Sequence, residues 1–242
     1  MAIKTEAILR SHRLFSIVSE ESFTALARSA TSDCYPSDTV IAEEGAPADH
    51  LLLVVSGATE LFTHLGRRET SISIVQPFAV LFVAAVMRNE AYPLSARTIG
   101  RTRLIKLPAI WMRAVTENDP ALSRALMLEM AGRYTELLET LKNQKLRRSV
   151  HRLARYLVHQ HEDQGAAGHI TLPVRKQTLA SLLGITPSAL SRAFTSLRPH
   201  GVTVNGYEIE LSNPGELRAL ANESACPPGL GQAVCADHQC RR

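Results

Sequence analysis

The stretch that decides the fold lies towards the C-terminal end of the chain, where residues 175–212 read RKQTLASLLGITPSALSRAFTSLRPHGVTVNGYEIELS. Apolar residues recur at helical spacing over residues 176–183 and again after Pro187. Gly184 can form the turn between the two segments without a Cβ penalty. Thr186 is a good N-cap, and proline suits the first position of a helix. The pattern therefore predicts two short helices joined by a turn.

The second of these helices has two unlike faces. Its apolar side carries Leu190, Phe194 and Leu197, which we expect to be buried. Its other side carries short polar groups and one long cation, as expected for a helix that enters the DNA major groove and meets base edges. The residues that we expect to contact DNA are Arg175, Lys176, Thr186, Ser188, Ala189, Ser191, Arg192 and Thr195.

A β-hairpin is predicted directly after the second helix, which should end before Pro199. Apolar residues alternate on either side of Asn205-Gly206, a dipeptide typical of two-residue hairpin turns. They are Val202 and Val204 before it and Tyr207, Ile209 and Leu211 after it. Two helices followed by such a hairpin make a winged helix-turn-helix, whose hairpin can reach the DNA backbone.

Charge is unevenly distributed along the chain. The formal net charge is +4, and residues 147–220 carry nine Lys or Arg against five Asp or Glu, whereas residues 1–146 sum to zero. Residues 164–207 contain no carboxylate side chain at all. A surface that contacts phosphates would exclude carboxylates in this way, so the charge favours a nucleic-acid partner. The alternative is a chance distribution in a basic protein.

Residues 119–145 show the longest helical pattern. Asp119 can cap this helix, and Pro120 suits its first position. One apolar stripe follows at steps of four and three residues: Leu122, Leu126, Met130, Tyr134, Leu137 and Leu141. A helix of about 26 residues spans ~39 Å, too long for a small domain to cover, so we expect a second copy to cover it in a homodimer. The alternative is a helix packed entirely within its own chain.

The residues before this helix predict a β-roll or β-sandwich. Residues 5–31 have the pattern of short amphipathic helices, with Ser19 opening the second. Over residues 34–108, short apolar alternations are broken by turn residues, among them Gly45 and Gly57. The predicted organisation is a sensor β-roll domain with N-terminal helices (1–118), a dimerisation helix (119–146), a winged helix-turn-helix domain (147–220) and a flexible tail (221–242).

Composition and motifs exclude several classes of protein. The N-terminal residues lack the apolar core of a signal peptide, and the longest apolar run, residues 78–87, has about half of the ~20 residues that a membrane helix needs. We therefore expect a cytoplasmic protein without a membrane partner. Three of the four cysteines, Cys226, Cys235 and Cys240, lie in the predicted tail, and the four form neither a disulfide framework nor a zinc motif. No nucleophile–base pair or phosphate loop is recognisable, so we do not expect an enzyme.

In the order of these parts, residues 10–215 resemble the CRP/FNR superfamily of transcription regulators. The stretch PSALSR, residues 187–192, looks like the start of the family's recognition helix. Arg192 stands where the family has an arginine that reads guanine, and Ser191 matches the serine of the FNR-like branch. Ser188 stands where a glutamate commonly reads cytosine, so the resemblance does not carry the family's usual half-site over at that base pair.

The resemblance implies an α+β fold with an N-terminal cyclic-nucleotide-binding-like β-roll, a long dimerisation helix and a C-terminal winged helix-turn-helix. It also implies a homodimer on a palindromic operator in double-stranded DNA, contact with RNA polymerase and action as an activator. The alternative is an effector-binding module whose helix-turn-helix contacts a protein rather than DNA.

The sensor departs from the members of the family that bind cyclic nucleotides. Those members carry Gly-Glu at the start of a short helix and Arg-Ser downstream to hold ribose and phosphate, whereas this chain has Val80-Leu81 and Leu94-Ser95. We therefore expect no useful affinity for cyclic AMP, and an effector held in an apolar pocket between the roll and the long helix. The oxygen-sensing branch needs an N-terminal cysteine cluster, and no cysteine precedes Cys34.

What remains is similar to the branch that senses nitrogen oxides through haem, the DNR- and NnrR-like regulators. The stretches LRSHRLF, residues 9–15, and FAVLFVAAVM, residues 78–87, carry that similarity. It implies haem as a cofactor with His12 as an iron ligand. The alternative for His12 is a surface histidine in a helical turn.

Overall fold

Alternating apolar residues in the first half of the chain form the antiparallel sheet that they predict, and the predicted α+β fold is confirmed. The computed structural model describes residues 2–66, 68–165 and 168–222. The chain divides into two compact units at residues 136 and 137. The four-part domain division proposed above stays a prediction. Most of its tail, with Cys226, Cys235 and Cys240, lies outside the described residues.

The first unit is a β-roll with helices before and after it. Its strands are β1 (Thr31–Tyr35), β2 (Val40–Ala42), β3 (His50–Leu65), β4 (Arg68–Val75), β5 (Val80–Leu81) and β6 (Ser95–Pro108). Its helices are α1 (Ala2–Ser11), α2 (Glu20–Ser29), α3 (Val83–Arg88), α4 (Ala109–Asn118) and the first part of α5 (Pro120–Leu146). The strands pair antiparallel in the order β1-β6-β3-β4, with β2 on β6 and β5 on β3.

The two long strands, β3 and β6, carry the centre of the core. Leu51, Leu53 and Leu104 on them are fully buried. Gly57 lies within β3, where the pairing with β6 shifts register, and has a left-handed φ of +80°. A Cβ at this position would lie 2.5 Å from Oγ1 of Thr102, closer than real Cβ atoms come to another atom. Glycine is therefore required at this irregularity, although the turn predicted here is a position within a strand.

Side-chain caps begin α2 and α5 as predicted. Ser19 Oγ accepts the Ser22 N–H at 3.3 Å, and Asp119 Oδ1 accepts the N–H groups of Ala121 at 3.0 Å and Leu122 at 3.2 Å. Asp119 Oδ2 also accepts the N–H of Ser19 at 3.1 Å. One carboxylate therefore caps α5 and joins the start of α2 to it.

The short helix of the sensor begins later than the sequence analysis placed it. Val80 and Leu81 form strand β5, and α3 starts at Val83 after Phe82, whose φ of +64° is left-handed. The pair at the start of the short helix is therefore Phe82-Val83 rather than Val80-Leu81. Helix α4 was not predicted, although it directly precedes the cap of α5.

Helix α5 extends over 27 residues and is only partly covered. Leu122 and Leu126 are buried in the core of the first unit. Further along the same stripe, Tyr134, Leu137 and Leu141 are 63%, 66% and 50% exposed. The stripe is therefore covered at its start and open further along in a single chain. Among the helices that the structure describes, none is long and apolar enough to cross a membrane.

The second unit is the predicted winged helix-turn-helix. It contains α6 (Ser149–Asp163), β7 (His169–Thr171), α7 (Lys176–Leu182), α8 (Pro187–Leu197), β8 (Val202–Asn205), β9 (Glu208–Leu211) and α9 (Pro214–Asn222). The strands pair antiparallel in the order β7-β9-β8. Asn205 pairs with Glu208, so the wing turn consists of Gly206 and Tyr207 rather than the predicted Asn205-Gly206. Gly206 has a φ of +63°, as the first central position of such a turn requires.

Candidate nucleic-acid interface

The start of α8 is organised by Thr186. Its hydroxyl accepts the Ala189 N–H at 3.2 Å, so the predicted N-cap is confirmed, and Pro187 occupies the first turn as predicted. Thr186 and Ser188 also share a hydrogen bond between their hydroxyl oxygens at 3.0 Å. Gly184, with a φ of +62°, makes the turn from α7. Hydrogen bonds within the chain thus fix the beginning of α8 without a bound partner.

The two faces of α8 differ as the sequence predicts. Leu190, Ala193, Phe194 and Leu197 form the buried face. Ser188, Ser191, Arg192 and Thr195 are exposed, and Ala189 is half-buried. The hydroxyls of Ser191 and Thr195 donate to the carbonyls of Pro187 and Ser191, each at 3.1 Å. Their oxygens keep lone pairs that could accept from a base amino group.

Arg192 is the one long cation on the exposed face of α8. Within the part of the chain that the structure describes, its guanidinium makes no hydrogen bond and no ion pair. An arginine without an internal partner can pair with the two acceptors on the major-groove edge of guanine. Arg175, which precedes α7, and Lys176, its first residue, are exposed as well.

A groove of about 450 Å³ lies between α7, α8 and β8. It brings Lys176 together with Ser191 and Thr195, three of the predicted contact residues, whereas the other five do not line it. Gln177 and Arg198 line the same groove and were not among the predicted contacts. Arg198 lies in the stretch without carboxylates, so charge was the signal that could have pointed to it.

The wing adds no cation to this surface at its tip. Its turn consists of Gly206 and Tyr207, and Tyr207 is 52% exposed. Glu208 and Glu210 on β9 are exposed, and Thr171 Oγ1 donates to a Glu208 oxygen at 2.9 Å. Any approach of the wing to a DNA backbone therefore depends on uncharged groups at the tip.

Two family models match the chain. A cyclic nucleotide-binding domain matches residues 33–119, and a Crp-like helix-turn-helix domain matches residues 151–220. The chain belongs to the CRP/FNR family of transcription regulators. Such regulators are not enzymes.

Similar proteins agree with the CRP/FNR assignment. The transcriptional activator protein anr of Pseudomonas aeruginosa is 25% identical over 183 residues, which are 74% of this chain and 75% of that protein. The nitrogen fixation regulation protein FixK of Rhizobium meliloti is 33% identical over 76 residues, 31% of this chain and 36% of that protein. The structure of FixK2 from Bradyrhizobium japonicum has the same fold, with a TM-score of 0.71 at 24% identity over 81% of this chain and 99% of that one.

The two places where the resemblance implies charged groups for a cyclic nucleotide carry apolar residues in this chain. Phe82-Val83 is at the start of the short helix α3, and Leu94 directly precedes Ser95 at the start of β6. Ser95 remains, but its hydroxyl accepts the backbone N–H of Glu44 at 3.0 Å.

His12 has a different environment from either of the two that the sequence analysis considered. It is 3% exposed, so the surface alternative is wrong. Its Nε2 lies 3.0 Å from the carbonyl oxygen of Phe78, and its Nδ1 accepts the Leu14 N–H at 3.2 Å. Burial lowers the pKa of His12, and the Phe78 carbonyl opposes that shift only in part. A neutral imidazole fills both hydrogen bonds, so neither nitrogen is free for iron, and His12 does not fit the role of haem ligand in this arrangement.

An apolar cleft lies between α3, α4 and α5 within the first unit and measures about 510 Å³. Val83, Met87, Leu126 and Met130 contribute its apolar walls, and five of its eleven lining residues are polar, Arg113 among them. The cleft lies against α5, as expected for the apolar pocket, but its other walls come from α3 and α4 rather than from strands of the roll.

Proposed function

We propose that this CRP/FNR regulator binds DNA through α8 as a homodimer and responds to an effector other than cyclic AMP. The observation that carries the proposal is the exposed face of α8. Among the described residues, the Arg192 guanidinium has no hydrogen-bond or ion-pair partner, and the hydroxyl side chains of Ser188, Ser191 and Thr195 are exposed on the same helix. Arg175 and Lys176 extend the same basic stretch. Direct contact by the predicted set, Arg175, Lys176, Thr186, Ser188, Ala189, Ser191, Arg192 and Thr195, is part of this proposal.

The open part of the α5 stripe supports a dimer. Tyr134, Leu137 and Leu141 together expose an apolar line that a second copy of the same line would cover around a two-fold axis. Two-fold symmetry would place two α8 helices on a palindromic operator with half-sites about one helical turn apart. The anr relative is named a transcriptional activator, so we propose that this chain activates transcription as well. Contact with RNA polymerase and a cytoplasmic location are parts of the same proposal.

The apolar sensor supports exclusion of cyclic AMP. A phosphate buried against Phe82, Val83 and Leu94 would leave its charge unpaired, at a cost of several kcal/mol. Titration calorimetry with cyclic AMP should therefore detect no binding at micromolar concentrations, and a micromolar Kd would overturn this part of the proposal. Haem bound through His12 does not form part of it.

A DNA-selection experiment tests the central claim. The full-length protein should enrich a palindrome, and fluorescence anisotropy should show affinity that falls steeply with salt concentration. Arg192→Ala should lose roughly 1–3 kcal/mol per half-site and relax the preference at one G·C pair. Arg101→Ala, which removes an exposed arginine from β6, serves as the matched control and should bind as the wild type does.

Two results would contradict DNA binding through α8. One is an affinity that does not respond to salt, which would favour a helix-turn-helix that contacts a protein instead. The other is an Arg192→Ala variant that selects the same sequence with the same affinity as the wild type.

A further inference from the structure

The cleft between α3, α4 and α5 contains an unusual share of the methionines. Met87, Met127 and Met130, three of the five methionines in the chain, line it. Methionine side chains are flexible and polarizable, so they adapt to apolar ligands of different shapes. Val83 and Leu126 complete walls that suit an unbranched or flat apolar body.

One cation in the cleft lacks a carboxylate partner. Arg113 is half-buried, and its Nη1 donates to the carbonyl oxygen of Val86 at 3.0 Å. Among the described residues, no Asp or Glu lies within ion-pair distance of Arg113. Arg88, which also lines the cleft, is instead bonded to Glu90 at 2.8 Å and 2.5 Å. Arg113 therefore keeps N–H donors for an anion, whereas Arg88 is already paired.

The other polar groups limit the charge of that anion. The hydroxyls of Thr116 and Ser123 each donate to a backbone carbonyl at 2.6 Å, so they do not offer their protons to a ligand. Glu117 lines the cleft as well and would repel further negative charge. A single carboxylate matches this set better than a phosphate, which carries more charge and needs more donors.

We infer that this cleft binds an amphipathic monocarboxylate, with its carboxylate on Arg113 and its apolar body against Val83, Leu126 and the three methionines. The inference rests on the proposed function, in which the regulator responds to an effector other than cyclic AMP, and adds where that effector binds. An arginine can take a carboxylate through two parallel hydrogen bonds, which gives orientation as well as affinity.

The cleft is also connected to a strained segment of the sensor. Helix α3 lies between Phe82 and Asn89, which have left-handed φ values of +64° and +54°. Arg113 bonds the carbonyl of Val86 near the end of this helix. A ligand that competes for the Arg113 guanidinium would remove a bond from α3, and the strained residue Phe82 at the start of α3 would favour its movement.

Dodecanoate and 1-dodecanol are the probes, because they share the apolar chain and differ in charge. Binding to the full-length protein is measured by calorimetry and by the fluorescence of Trp111, the single tryptophan, which lies on α4 two residues before Arg113. The wild type should bind dodecanoate at least tenfold more tightly than dodecanol. Arg113→Gln should weaken dodecanoate by about 10- to 100-fold and leave dodecanol unchanged.

Two further variants keep this test decisive. Arg88→Gln should bind dodecanoate as the wild type does, since Arg88 is already paired. Arg113→Lys, which keeps the charge without the two-pronged geometry, should fall between the wild type and Arg113→Gln even if the glutamine variant folds poorly.

Equal affinity of the wild type and Arg113→Gln for dodecanoate would overturn the inference. The absence of dodecanoate binding would also overturn it, and is expected if a second copy of the chain fills the cleft. Binding of haemin that dodecanoate does not displace would overturn it as well. Salt-dependent binding of the selected DNA is measured on the same preparation. If that binding persists while dodecanoate fails, only the cleft inference falls, whereas loss of DNA binding contradicts the proposed function.

Discussion

The junction between α2 and α5 depends on the charge of one carboxylate, that of Asp119. Burial opposes ionisation of this group, but hydrogen bonds from the N–H groups of Ser19 and Leu122 and from the hydroxyls of Ser22 and Ser19 outweigh it. They lower the pKa of Asp119 from 3.8 to about 2. Asp119→Asn removes the charge together with the second acceptor, which faces the Ser19 N–H. Asparagine is as good an N-cap as aspartate and keeps an oxygen for the start of α5.

The size of the effect follows from the pKa. A depression of about two pKa units corresponds to about 2 kcal/mol of folded-state stabilisation at neutral pH. Because the folded pKa lies below the unfolded one, this contribution is present in full above pH 4 and is lost as the pH falls towards 2. Asp119→Asn should therefore lower the free energy of unfolding by about 2 kcal/mol at pH 7 and by progressively less as the pH drops below 4.

Urea unfolding followed through Trp111 measures this free energy, because Trp111 belongs to the same unit as Asp119. The control is Glu6→Gln, which neutralises an exposed carboxylate on α1. It should change the free energy of unfolding by less than about 0.5 kcal/mol at both pH 7 and pH 3. A difference between Asp119→Asn and the wild type that stays constant from pH 7 to pH 3 would refute the reasoning, because it would show that charge is not what the junction uses.

Three further predictions concern assembly, DNA readout and the roll. Leu137→Glu places a charge in the exposed α5 stripe, so this variant should be monomeric in light scattering and should bind DNA weakly in fluorescence anisotropy. The control Ile72→Glu on β4 should remain dimeric. A wild type that is monomeric at micromolar concentration would contradict the dimer. Ser188→Glu should shift the selected half-site at one base pair, because a carboxylate can accept from cytosine N4, and an unchanged motif would show that position 188 does not read bases. Gly57→Ala should lower the free energy of unfolding by more than about 1 kcal/mol, because the added Cβ would collide with Thr102 and the φ of Gly57 disfavours a side chain. A variant as stable as the wild type would mean that this part of β3 adapts to the side chain.

The features that the sequence determined by itself are those in which backbone N–H groups are hydrogen-bonded by side chains close by in the chain. Ser19, Asp119 and Thr186 each accept an N–H two or three residues further along, so the starts of three helices could be identified from short patterns. The apolar and exposed faces of α8 followed from helical periodicity for the same reason. The helix-turn-helix and the open stripe of α5 were therefore predictable from neighbouring residues alone.

Features that depend on distant residues were decided only by the tertiary structure. His12 is buried because the carbonyl of Phe78, 66 residues away in sequence, covers its Nε2, and no local pattern indicates that contact. The wing turn moved by one residue because strand pairing across the hairpin placed Asn205 opposite Glu208. Arg113 is a candidate anion site because α3 and α5 place three methionines beside it in the folded chain. Periodicity defines which side of an element is apolar, whereas the partners that surround a particular side chain depend on how distant elements pack.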